Sequence, residues 1–125
     1  MELIGNDEVL FELLKTWEVT IHDSVVKRIN IFIEETNGLH IEIDFDDAKY
    51  KGNYLRLRFS GIKEYSFYHN NTYHFYNVES FKLIKDGEFF YLSLDPEDES
   101  STFATDHDQD LIVFKSFEGY FIEPY

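Results

Sequence analysis

Three stretches of this chain carry an apolar residue at every second position. Ile29, Ile31 and Ile33 alternate with Arg28, Asn30 and Phe32. Leu39, Ile41, Ile43 and Phe45 alternate with His40, Glu42 and Asp44, and Leu55, Leu57 and Phe59 with Tyr54, Arg56 and Arg58. A period of two is the signature of a β-strand with one buried and one wet face, and such strands belong to antiparallel sheets. Thr36-Asn37-Gly38 and Asp86-Gly87 are strong hairpin signals, because Asn-Gly and Asp-Gly tolerate the positive φ of tight turns.

The same period extends the reading along the chain. Val19 and Ile21 alternate with Glu18 and Thr20, and Gly61 ends the strand that begins near Tyr54. Tyr65, Phe67, Tyr73, Phe75 and Val78 predict short strands around Asn70-Asn71. Phe81, Leu83 and Ile84 lead into Asp86-Gly87, and Phe89 to Leu94 return from it. Residues 95–110 read as a long acidic loop, and Leu111–Phe117, Glu118-Gly119 and Tyr120–Ile122 as a C-terminal hairpin. One segment has helical spacing instead: Val9, Leu10, Leu13, Leu14 and Trp17 make an apolar stripe. Asn6 or Asp7 is placed to cap that helix, Asp7 and Glu8 suit its N-terminal dipole and Lys15 its C-terminal end.

The expected fold is α+β and mostly β. An N-terminal helix packs on an antiparallel sandwich or open barrel of about eight to ten short strands. A chain of 125 residues matches one domain, residues 1–125. Hydrophobic residues make up 43%, so material for a core is ample, and aromatic residues at 18% favour strands. There is no Cys, hence no disulfide, thiolate metal site or cysteine nucleophile. No basic start with an apolar run marks a signal peptide, and no apolar stretch approaches the about 20 residues that cross a bilayer. The expected location is cytoplasmic.

Charge narrows the partners. The net charge is −14, from 25 acidic and 11 basic side chains. Nucleic-acid affinity comes mainly from Lys and Arg neutralising phosphates, and anionic membranes attract the same residues, so neither partner is expected. A basic protein is the natural partner for such a surface.

No constellation for catalysis emerges. Asp106, Asp108 and Asp110 occupy the first three ligand positions of an EF-hand loop, but its turn glycine would fall on Leu111 and its final Glu on Phe117. His69 and His74 flank an Asn-Asn turn and can face each other, yet two histidines lack a third zinc ligand. There is no G-x-S-x-G elbow and no glycine-rich phosphate loop. The expectation is a non-enzymatic protein without cofactor or metal. The aromatic run Tyr65, Phe67, Tyr68, Tyr73, Phe75 and Tyr76 reads as a largely buried part of the sheet, or as a tyrosine-rich protein interface.

One resemblance adds to this reading. His22-Asp23-Ser24-Val25-Val26-Lys27-Arg28-Ile29-Asn30-Ile31, the strand Leu55-Arg56-Leu57-Arg58-Phe59-Ser60-Gly61-Ile62 and the closing Leu111-Ile112-Val113-Phe114-Lys115-Ser116-Phe117 follow one another in order. This order resembles small acidic immunity proteins of bacterial polymorphic toxin systems, and related bacterial domains of unknown function. The resemblance implies binding and neutralising a cognate toxin, and His22 and Asp23 are the positions that match its opening motif; the acidic surface makes a basic toxin the expected target. Read from the residues, His22-Asp23 is a turn in which the Asp23 carboxylate bonds nearby backbone N–H groups. The expected contact surface is the acidic loop, through Glu97, Asp98, Glu99, Asp106, Asp108 and Asp110. Two other readings stay open: a small-ligand protein or enzyme with a pocket in the β-structure, and an oligomer-forming module.

Overall fold

A computed structural model describes residues 1–36 and 38–125. Its strands are β1 (Glu2–Asn6), β2 (Ser24–Glu34), β3 (Gly38–Asp46), β4 (Tyr54–Ser66), β5 (Asn77–Val78), β6 (Lys82–Asp86), β7 (Phe89–Asp95) and β8 (Gln109–Ile122), with one helix, α1 (Asp7–Lys15). All pairings are antiparallel. The strand order is β5-β2-β3-β4-β8-β7-β6, and the sheet curls into a half-barrel. The α+β, mostly-β expectation therefore holds, in the open-barrel form.

The period-two residues place the core. Ile41, Ile43 and Phe45 pair with Phe59, Leu57 and Leu55, and all six are fully buried on the inner face. Leu10 and Leu14 of α1 pack onto that face with Phe90, Phe114 and Phe117. Gly119 makes the fit possible: a Cβ there would lie 2.9 Å from Leu10 Cδ1. The expected turn at Glu118-Gly119 is thus absent, and β8 runs unbroken from Gln109 to Ile122. The glycine serves close packing, not a bend.

Long β8 carries two partners on its edge away from β4. β7 pairs with residues 109–114, and β1 with residues 118–121. Asp7 fills the gap between them. Its carboxylate accepts from the Phe117 N–H at 3.0 Å and the Ser116 hydroxyl at 2.7 Å, standing in for a missing strand. Asp7 enters the helix at φ 44°, and Asn6 at the N-cap makes no side-chain cap bond. The expected capping role is therefore replaced by a tie across to β8. The helical stripe is also narrower than its spacing predicts. Leu10 and Leu14 are buried, whereas Val9 is exposed and Trp17 lies beyond the helix at φ 61°.

Other differences have similar causes. Val19 to Ile21 is no strand: Ile21 is buried within the connection from α1 to β2. Gly61 does not end β4 but bends it at φ 61°, and the strand continues to Ser66. Residues 67–76 form a connection without strands, and only Asn77-Val78 pairs with Ser24 and Val25 of β2. The Asp86-Gly87 hairpin forms between β6 and β7, with Gly87 at φ 62°. The other expected hairpin includes Asn37, which lies outside the described residues, while β2 and β3 pair up to Glu34–Gly38.

On the outer face, Arg56 grips Asp44 with two bonds of 2.7 and 3.0 Å, and Arg58 Nε donates to Glu42 at 2.7 Å. Tyr125 adds a hydroxyl to Asp44 at 2.8 Å. Arg56 and Arg58 are thus paired with carboxylates within the sheet.

Candidate functional site

The acidic loop divides into an outward and an inward set. Glu97, Asp98, Glu99 and Asp106 are exposed. Asp98 accepts from the backbone and hydroxyl of Ser100, which hold its carboxyl below the usual range. Glu99 borders a shallow hollow with Trp17 and Phe81. Asp108 and Asp110 are only 5% exposed, so the six carboxylates do not form one contact surface.

Asp108 anchors the loop. It meets Lys82 Nζ at 2.7 Å, with both side chains at 0% exposure. It also accepts from the N–H groups of Glu97 and Thr105 and from the Tyr91 hydroxyl at 2.9 Å. Burial works to raise this carboxyl, and those donors outweigh it, holding it at about 2. Lys82 completes its shell by donating to the Phe103 carbonyl at 3.0 Å. A buried charge needs such a full set of partners.

Asp110 is arranged differently. It sits at φ 53° at the start of β8 and accepts one bond, from the Tyr68 N–H to Oδ1 at 2.8 Å. Its Oδ2 accepts no hydrogen bond among the described residues. Burial pushes its carboxyl up; the Tyr68 bond opposes this, and nearby Asp95 adds to it. Asp110 lines a cleft of about 540 Å³ together with Tyr68, Asn70 and Tyr73. The two tyrosines are 57% and 69% exposed. Asn70 orders the rim: its Oδ1 accepts from Thr72 N, and its amide donates to the Tyr68 hydroxyl at 2.9 Å.

Tyr73 also borders a second hollow of about 340 Å³, which holds His74, Glu79 and Asp95. Burial and Glu79 push the Asp95 carboxyl up. The region therefore presents two adjoining acidic hollows with a tyrosine between them. The aromatic run splits accordingly. Phe67 and Phe75 pack into the core, and Tyr68 and Tyr73 stay on the surface. In the sequence these tyrosines stand out only as part of a run. Residue type held part of the signal, since a phenol gains by keeping its hydroxyl wet, but Tyr76 of the same run packs against the core.

The histidines are placed as follows. His22 stacks on Trp17 at 4.6 Å, and its Nδ1 lies 3.1 Å from Asp23 Oδ2. Asp23 does form a turn, at φ 61°, but its carboxylate faces His22 and, among the described residues, accepts from no backbone N–H; its own N–H donates to Val78 O at 2.7 Å. His69 and His74 do meet, with ring centroids 6.1 Å apart, and both stack with Tyr76. Among the described residues, no three His, Asp or Glu side chains are grouped to hold a metal ion. Among the described residues, no helix is long and apolar enough to cross a membrane.

No protein-family model, no curated protein and no solved structure matches this chain.

Proposed function

We propose that this chain binds a basic protein and seats cationic side chains of that partner in the tyrosine-rimmed cleft above Asp110. One observation carries the reading: a buried carboxylate offers an uncommitted oxygen to a cleft walled by two exposed tyrosines. An arginine or lysine head entering there meets a carboxylate below and aromatic faces beside it. Both are favourable for a cation, and both gain strength in a partly desolvated site. The neighbouring hollow with Glu79 and Asp95 suits a second cation on the same partner.

The overall charge of −14 supports the same partner, because complementary fields speed encounter and oppose wrong partners. Within this reading the exposed Glu97, Asp98, Glu99 and Asp106 steer approach, and Asp110 with its tyrosines supplies specificity. An immunity-type inhibitor of a basic toxin is the biological form we favour. A toxin that acts on nucleic acid needs a basic surface, and an acidic protein that covers it would block it. No catalytic step is assigned to any residue.

The cleft volume also falls within the range of small-molecule sites, so an organic amine is the second reading. Calorimetric titration separates the two. Short oligo-arginine and oligo-lysine peptides, a neutral peptide of equal length and simple amines are titrated at low and high salt. The first reading expects salt-sensitive binding of the basic peptides alone, at least tenfold weakened by Asp110→Asn or Tyr73→Ala. Equal binding by the variants removes the cleft from the function. Tight binding of a free amine with no peptide preference moves the function to a small ligand.

A further inference from the structure

The two ends of the sheet are finished differently. At the β6 end, α1 covers the edge: Lys15 Nζ donates to the Leu83 carbonyl at 3.1 Å, and Lys85 pairs with Glu8. At the other end, β5 pairs only with Ser24 and Val25 of β2, and the Tyr76 carbonyl takes the Val26 N–H. Among the described residues, no strand pairs with the outer edge of β2 from Lys27 to Glu34. That edge is a row of unpaired backbone donors and acceptors, which is a template for another strand.

Its side chains lack the usual protection. The run Ile29-Asn30-Ile31-Phe32-Ile33 contains no charge and no proline. Ile29, Ile31 and Ile33 lie on the inner face, opposite Ile43, Ile41 and Leu39. The core does not reach the far end of this row, so Ile31 is 40% and Ile33 79% exposed. An uncharged β-branched edge of this length is a surface that natural proteins otherwise block.

The edge is complementary to itself. Two copies of β2 paired antiparallel about a two-fold axis through Ile31 set Ile29 against Ile33, Ile31 against Ile31 and Asn30 against Phe32. The same register sets Arg28 of each copy against Glu34 of the other. Arg28 is exposed and belongs to none of the described ion pairs, and Glu34 is exposed beside His40. With the axis perpendicular to the sheet, residues directly opposite share a face. The three isoleucines of each copy then close one apolar layer, and the Arg28–Glu34 pairs flank it on the other side. Directly opposed apolar and opposite-charge pairs are the units that stabilise a sheet.

We infer that β2 is a homodimer edge, joining two half-barrels through a continuous antiparallel sheet with Arg28 opposite Glu34 of the second copy. Self-complementary charge is what commits the edge to a second copy: a symmetric interface must match its own sequence reversed, and this strand does.

The test uses the full chain in sedimentation equilibrium across a wide concentration range. Wild type is expected at twice the chain mass. Ile31→Lys sets two ammonium groups against each other at the axis and is expected at the chain mass. Arg28→Glu and Glu34→Arg are each expected to be monomeric, with unchanged circular dichroism. An equimolar mixture of these two is expected to regain the doubled mass, because every cross-strand charge pair is then opposite in sign. Recovery on mixing also rules out loss of folding as the cause. A wild type that stays monomeric throughout overturns the inference and leaves the edge to a strand of another protein. A dimer that survives Ile31→Lys and the single charge reversals overturns it as well.

Discussion

Lys82 and Asp108 meet at 2.7 Å with neither side chain exposed, and this pair fixes the acidic loop to the outer face of the sheet. Removing one partner leaves the other charged and buried. Lys82→Met is expected to cost about 3–5 kcal/mol, the usual penalty for breaking a buried ion pair. Urea unfolding of wild type and variant measures it. A cost below about 1 kcal/mol, the range of surface pairs, would mean that water reaches Asp108 and the loop is loosely held.

The same carboxylate predicts an acid limb. Its folded value of about 2 lies below its ordinary 3.8, so the folded state binds fewer protons than the unfolded chain in that window. Its contribution is therefore complete above about pH 4 and lost as the pH falls towards 2. The loss is on the order of 2 kcal/mol, from about 1.4 kcal/mol per pKa unit. Urea midpoints at stepped pH should fall more steeply between those limits for wild type than for Asp108→Asn. Parallel curves would show that another group governs acid unfolding.

Gly119 gives a packing prediction. A Cβ at this position would lie 2.9 Å from Leu10 Cδ1 and 3.2 Å from Leu10 Cδ2. The fully buried Leu10 side chain, or the helix that carries it, must then shift. Gly119→Ala is expected to destabilise by about 1–3 kcal/mol, the cost of overpacking a tight core. Gly38→Ala also changes a glycine but meets open space, so only its φ of 73° is strained. If Gly119→Ala were stabilising, as alanine usually is in a strand, the Leu10 contact would not be the reason for the glycine.

Much of this architecture is legible in the sequence, and the exceptions have physical reasons. Ile41, Ile43, Leu55 and Leu57 announce their strands because each has one wet and one buried face. β1 is silent because Glu2-Leu3-Ile4-Gly5-Asn6 is short and pairs only with β8. Glu118-Gly119 resembles a turn locally, and only the arrival of Leu10 from a distant helix explains the glycine. Asp106 and Asp108 look alike in a run of acids. What separates them is Lys82, brought to Asp108 by the β6–β7–β8 pairing. Asp110 is likewise an ordinary acid until the chain at Tyr68 folds over it. The site was therefore visible as residue types, an acidic loop and an aromatic run, but not as a cleft.

Asp110 supplies the prediction that separates binding from folding. Burial and Asp95 raise its carboxyl above the ordinary 3.8, against the Tyr68 N–H. A raised folded value means that the folded state binds more protons than the unfolded chain. Stability is then lost as the pH rises through that window, and the ionised side chain is a burden on the fold at neutral pH. Asn at this position keeps an oxygen for the Tyr68 N–H and never ionises. Asp110→Asn is therefore expected to be at least as stable as wild type at pH 7, with the advantage disappearing as the pH falls below about 4. Urea midpoints of the two proteins across that range provide the check. The same variant should lose affinity for basic peptides. Gain of stability with loss of binding is the pattern of a charge kept for a ligand at the expense of the fold. A variant that is less stable at neutral pH would instead show that the carboxylate serves the fold, and the cation would have to be seated elsewhere on the acidic surface.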